Sequence, residues 1–334
     1  MIDAYRPPSY VEFRDAASSI LARASGDAAV QAFGLSDLLA GAEPAEDLTP
    51  VYAFLEAQGA RVGSTTALGR LGLVGEPAAG RPGAASQALL GLPIGVAGLL
   101  AVPGYTKGTA VAVDQAGVGL AVVPGERVRP RSVPRPAADN YVTVVGFDPV
   151  DAAPVQPDAA MVPVRAAMLA RVRLGAAGEL LGLGGRMLDD ALAYTRVRRQ
   201  FGRSVSSFQV MQHLLGWAAT ERHQLASMYD IAVEQAAQDD LDPQLAAMVK
   251  ALAGRVVHAI AQTAMQVTGG ISFTWEYSLN RPHQRALALD QFAGSSAELT
   301  AAIGRSAREA AAIPDLFGLA GPDVLASGRL ASGG

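Results

Sequence analysis

The sequence predicts a mixed, mostly α fold: a truncated N-terminal helical domain, a small β domain and a C-terminal four-helix bundle. Three observations predict it. Short helical patterns fill residues 9 to about 60, a stretch rich in Gly, Pro and Val follows to about 158, and a helical period resumes near 160 and persists. The domains follow as 1–65, 66–158 and 159–334, with a flexible tail after about residue 314, where Gly, Ser and Pro dominate.

The elements are read in order. Residues 10–24 place apolar side chains at helical spacing. Residues 48–58 follow Thr49-Pro50, a start with proline in the first turn. Residues 108–113, 117–123 and 140–145 run as short β-branched strands between turn signals. Pro163 opens a helix to roughly Tyr194, residues 208–237 and 243–267 form two more, and 295–312 a fourth. Short loops between long amphipathic helices make a bundle. The Gly182–Gly185 run lies inside a helical pattern, so close helix packing is favoured over a phosphate loop.

Composition narrows the function. The net charge is −4, and no basic stripe marks a nucleic-acid binder. No Cys is present, which excludes disulfides and thiolate chemistry. The four His, at 213, 223, 258 and 283, lack the spacing of a zinc site, so no metal is expected. Residues 1–13 have neither a basic nor an apolar signal region. The most apolar run, residues 88–102, is too short to span a bilayer and contains Pro93. No membrane partner and a cytoplasmic location are the expectations.

Two segments carry the most specific signal. Residues 191–213 read ALAYTRVRRQFGRSVSSFQVMQH, and residues 266–277 read QVTGGISFTWEY. The first resembles the acyl-CoA dehydrogenase signature, in which an aromatic-ended helix leads into Arg-x-x-Phe-Gly and then Phe-Gln. The second resembles that family's Gln-x-x-Gly-Gly-x-Gly-Phe segment. The likeness is strong over residues 160 to 300 and faint before them.

The resemblance implies FAD as cofactor. Arg198 matches the family's pyrophosphate-binding arginine, and a planar guanidinium suits that group. Gln209 matches a hydrogen-bonding glutamine, and Phe201 is a weaker candidate. The segment Gln266, Val267, Thr268, Gly269 and Gly270 matches the part that approaches the adenosine end, where glycines let backbone come close. In the family these groups reach the flavin of a neighbouring chain. Each residue also has a plainer reading. Arg198 alone reads as a helix-end cation, Gly269-Gly270 as a helix C-cap, and His213 as a hydrogen-bonded bundle residue.

The reactive half does not follow the family pattern. The family removes a proton beside a thioester while a hydride goes to flavin, and the proton step needs a carboxylate base. Aligning one family position for this base from Gln266 lands on Ala293, and aligning the other from Gly182 lands on Val172. Neither residue accepts a proton. Glu179 is the nearest carboxylate on that helix and a weak alternative. Residues 75–80 look like a remnant of the family's Thr-Glu-Pro-x-Ala-Gly-Ser-Asp stretch.

These departures imply a non-catalytic subunit that resembles the smaller chain of α2β2 bacterial acyl-CoA dehydrogenases of sterol side-chain degradation. The expected partners are a second chain carrying the catalytic Glu, an acyl-CoA substrate, and electron-transfer flavoprotein as acceptor. Two other readings stand beside it. One is a self-sufficient homomeric flavoenzyme using Glu179, Glu298 or Asp290. The other is a structural bundle without flavin.

Overall fold

A computed structural model describes residues 6–40, 47–74, 88–93, 99–115, 119–131, 141–146 and 161–309. The remnant at 75–80 and the tail from 310 lie outside the described residues. The N-terminal helices are α1 (Pro8–Leu21), α2 (Asp27–Ala32), α3 (Thr49–Arg61) and α4 (Ala67–Leu71). The strands are β1 (Leu89–Pro93), β2 (Leu99–Pro103), β3 (Val111–Gln115), β4 (Gly119–Val123), β5 (Arg129–Pro130) and β6 (Val142–Gly146). The C-terminal helices are α5 (Met161–Val197), α6 (Gln209–Ala237), α7 (Pro243–Thr268), α8 (Asn280–Gln291) and α9 (Ser296–Glu309). A two-stranded hairpin, β7 (Arg199–Gln200) with β8 (Arg203–Ser204), joins α5 to α6.

The mostly α fold with a small sheet and a helical bundle matches the expectation. Several elements differ in detail. The run 88–102 contributes strands β1 and β2. The strand expected at 108–113 begins at Val111, because Gly108 sits in a turn at φ +93°. Helix α8 was not expected and precedes the last helix.

Helix α3 is the inner helix. It is buried continuously from Val51 to Gly59 and packs on α1, α5 and α6. A helix enclosed on all sides has no polar stripe. Its crossing with α5 is close because two glycines face opposing backbone. A Cβ on Gly59 would stand 2.0 Å from the Glu179 carbonyl oxygen, and one on Gly182 would stand 2.0 Å from that of Glu56. The glycine run in α5 is therefore packing.

Helices α5 and α7 form the spine of the bundle. Near their starts, Arg173 of α5 and Lys250 of α7 feel each other's charge, and further on Gly184 faces Val257 and Ile260. The two helices thus run in the same direction, and α6 returns between them. Helix α7 starts where the Asp242 side chain accepts from the Gln244 N–H and Pro243 takes the first turn. By length and composition, Pro243–Phe273 is apolar enough to cross a membrane, but 67% of its most apolar window is buried in this core.

The six strands order as β4-β3-β1-β2-β6-β5, with β1 and β3 parallel and the other pairs antiparallel. Alternation divides their side chains. Leu90, Leu92, Ala101 and Val142 join the helical core, whereas Leu89, Leu100, Val102 and Val145 pack into a second cluster inside the sheet.

Candidate functional site

The direction of the helices gathers the cofactor-motif residues at one end of the bundle. Val197 ends α5, Gln209 begins α6 and Thr268 ends α7, and the Tyr194 and Tyr277 rings meet there edge to face at 5.7 Å. Arg198 is exposed just beyond α5. Its backbone is pinned, since its N–H donates to the Tyr194 carbonyl at 2.9 Å and its carbonyl accepts from the Val205 N–H at 2.8 Å. Gln209 and Gln266 are exposed on their helices.

Gly269 terminates α7 at φ +70°, a conformation that side chains disfavour. A Cβ on Gly269 or Gly270 would meet nothing within 4 Å. The cap is thus also bare, accessible backbone. Val267 and Thr268 are buried, and the Thr268 hydroxyl donates to the Ala264 carbonyl at 2.7 Å. Of that segment, Gln266, Gly269 and Gly270 face outward.

Phe201 sits at the hairpin tip at φ +50° and is 92% exposed. Its ring meets Phe208 edge to face at 6.2 Å, and the Arg203 guanidinium lies over Phe208. Val210, Trp217, Ile271, Phe273 and Trp275 are also exposed at or near this end. Sequence reading missed this apolar surround. Phe273 and Trp275 directly after the glycine pair, in a chain with 6% aromatics, were the available signal. His213, expected as a hydrogen-bonded bundle residue, lies on bundle helix α6 but is exposed.

The two positions expected to carry a base are filled by packing. Val172 is fully buried, and its methyl lies 2.5 Å from where a Cβ on Gly72 would be. Ala293 is buried at φ +61°, and its carbonyl accepts from Arg173 Nε at 3.1 Å. Lys250 holds the loop, its buried ammonium donating to the carbonyls of Asp290 at 3.1 Å and Gly294 at 3.3 Å. Burial lowers the Lys250 pKa to about 8.

The alternative carboxylates are committed elsewhere. Glu179 is fully buried beside Arg285 at 3.6 Å, and its second oxygen accepts from Gln58 at 3.0 Å and Tyr141 at 3.1 Å. The Arg285 guanidinium lies 4.5 Å from the Tyr141 ring centre and donates to the Gly63 carbonyl and the Ser64 hydroxyl. Burial, then the Glu179 charge, pushes the Tyr141 hydroxyl well above the ordinary range. This network locks α3, β6, α5 and α8 together. Glu298 accepts from the Ser295 N–H and hydroxyl in a capping box, which lowers its pKa. Asp290 accepts from the Ser296 N–H and hydroxyl. Among the described residues no group of three or more metal-ligating side chains exists.

Residues 162–307 match the family model described as "Acyl-CoA dehydrogenase, C-terminal domain". Acyl-CoA dehydrogenase FadE34 of Mycobacterium tuberculosis is 35% identical over 122 residues, covering 36% of this chain and 17% of that protein. Acyl-CoA dehydrogenase IpdE2 of Mycolicibacterium smegmatis is 31% identical over 127 residues, covering 36% and 38%. The match thus spans well under half the length of these curated relatives.

Solved structures resemble the chain along most of its length. The Tcur3481-Tcur3483 steroid ACAD superposes with a TM-score of 0.71 at 19% identity, covering 91% of this chain and 98% of that one. The ChsE4-ChsE5 complex from Mycobacterium tuberculosis gives 0.67 at 18% identity, covering 92% and 98%. A glutaryl-CoA dehydrogenase of Mycobacterium smegmatis in complex with FADH2 gives 0.68 at 15% identity, covering 93% and 97%. The chain has the acyl-CoA dehydrogenase fold, and its helical half, residues 162–307, matches that family's C-terminal domain.

Proposed function

We propose that this chain is the cofactor-lending, non-catalytic subunit of an FAD-dependent acyl-CoA dehydrogenase. One contrast carries the reading. The residues that serve a neighbour's cofactor are exposed and open at one end of the bundle, whereas both base positions are apolar and packed shut. Arg198 holds the pyrophosphate, Gln209 and Gln266 offer amides, and the bare backbone at Gly269–Gly270 lies against the adenosine end. These groups fit the dinucleotide from one side only, so a second chain supplies the other wall, the thioester site and the carboxylate base. Bound FAD supplies the oxidant for α,β-desaturation of the acyl-CoA.

Two of the structural relatives are named as two-chain assemblies and support such an arrangement, the Tcur3481-Tcur3483 steroid ACAD and the ChsE4-ChsE5 complex. The first also supports a bulky, steroid-like acyl group. An electron-transfer flavoprotein is the proposed acceptor. One curated relative is named as a subunit of a caffeyl-CoA reductase-Etf complex.

Co-expression tests the proposal. The chain alone is expected to purify without flavin and to oxidise no acyl-CoA. Co-expressed with a neighbouring dehydrogenase chain that carries a full base and ring site, it is expected to co-purify as a yellow, active complex. A lone chain that is yellow and active would sink the subunit reading in favour of a homomeric enzyme. Absence of flavin from both preparations would favour the structural bundle.

A further inference from the structure

A cleft of about 1340 Å³ opens between α1, α3, α5 and α6, distinct from the exposed cofactor-motif cap. Its floor is apolar, built from Leu188, Leu192, Met228 and Ile231, and Ile231 is 41% exposed into it. Apolar pockets with a few convergent polar groups are the usual form of small-molecule sites. Its polar lining includes Arg14, Arg186, Arg196 and Arg222.

The Arg222 guanidinium is seated flat over α5. A Cβ on Gly185 would stand 2.8–3.0 Å from three of its atoms, so the glycine makes the seat. Its Nε is buried and meets no acceptor among the described residues, and no carboxylate there lies within ion-pair distance of it.

The neighbouring acids are mostly assigned to other arginines. Glu56 and Asp230 are held by Arg6, Asp190 by Arg186, and Asp15 by Arg14. Asp189 and the Arg6-bound Glu56 are the lining carboxylates, and Arg14, Arg186 and Arg196 add further cations at the cleft wall. Burial lowers the Arg222 pKa despite attraction from Glu56 and Asp189. A guanidinium edge in an apolar cleft matches a single carboxylate, which accepts two parallel N–H bonds.

We propose that this cleft binds a carboxylate amphiphile, with the carboxylate on Arg222 and the apolar body on the Leu188–Ile231 floor. The site is independent of the cofactor-lending reading, because none of the cofactor-motif residues lines it. Binding is tested by calorimetry on the full chain, alone or in its complex, with dodecanoate, dodecanol and inorganic phosphate as probes. Dodecanoate is expected to bind saturably at one per chain and about tenfold or more tighter than dodecanol. Phosphate is expected not to compete.

Arg222→Met is expected to remove that preference and to leave dodecanol binding and the flavin content of the complex unchanged. Should Arg222→Met fail to fold, Ile231→Glu in the partly exposed floor is expected to weaken dodecanoate and dodecanol alike. Equal affinity for dodecanoate and dodecanol, phosphate competition, or undiminished dodecanoate binding in the folded variants would each overturn the proposal.

Discussion

Glu179→Ala is expected to destabilise the chain by about 3–5 kcal/mol, because removing one partner of a buried ion pair strands the other. Glu179 and Arg285 are both excluded from solvent, and Arg285 is the largest fully buried side chain among the described residues. The same change withdraws the acceptor used by Gln58 and Tyr141. Against a typical domain stability of about 5–15 kcal/mol, this is among the largest losses available to one substitution. Urea unfolding followed by circular dichroism measures it.

Glu179→Leu combined with Arg285→Leu is expected to lose less than the sum of the single changes, since the pair leaves together. A loss under about 1 kcal/mol for Glu179→Ala would show that the carboxylate does not hold the junction. A relocated base would behave differently. Glu179→Gln would then abolish acyl-CoA oxidation while leaving the unfolding midpoint in place.

Gly182→Ala carries the second large effect, and two opposing terms decide its sign. Alanine in place of glycine inside a helix gains about 1 kcal/mol from propensity. Overpacking costs about 1–3 kcal/mol, and more where nothing can yield. Here the new methyl would meet the Glu56 carbonyl at 2.0 Å and the Ala60 backbone nitrogen at 2.7 Å. Both are backbone of the enclosed helix α3, so the cost prevails and a net loss of about 1–2 kcal/mol is expected. Gly216 provides the contrast. It lies within α6 with open space around it, so Gly216→Ala is expected to stabilise the chain by about 0.5–1 kcal/mol. Paired melting curves that moved both variants the same way would contradict this packing account.

The long bundle helices were legible because their ends carry chemistry. Asp242-Pro243 opens α7 and Gly269 closes it. Helix α8 was not legible, because the face it buries includes Arg285. A buried arginine erases the apolar stripe that a sequence reading follows. Strands β1 and β2 were hidden for a different reason. Both faces of β1 are covered, so Leu89, Leu90 and Leu92 form a continuous apolar run without alternation. At the candidate site, the resemblance of residues 191–213 and 266–277 to the family's motifs singled out Arg198, Gln209, Gln266 and Gly269. Their exposure, and the apolar surround of Phe201, Phe273 and Trp275, depend on how three helix ends meet in space. The commitment of Glu179 depends on Arg285, more than a hundred residues away. No local pattern records that pairing.

The central claim is that this chain lends cofactor-binding groups to another. It is tested most directly by the flavin content of the purified two-chain complex carrying Arg198→Ala here, with size-exclusion chromatography confirming that both chains remain together. Loss of a charge-assisted contact to the pyrophosphate predicts flavin retention weakened by about tenfold or more, and correspondingly colourless complex after dilution. An intact Arg198→Ala complex that keeps one full complement of flavin, with undiminished affinity, would contradict it.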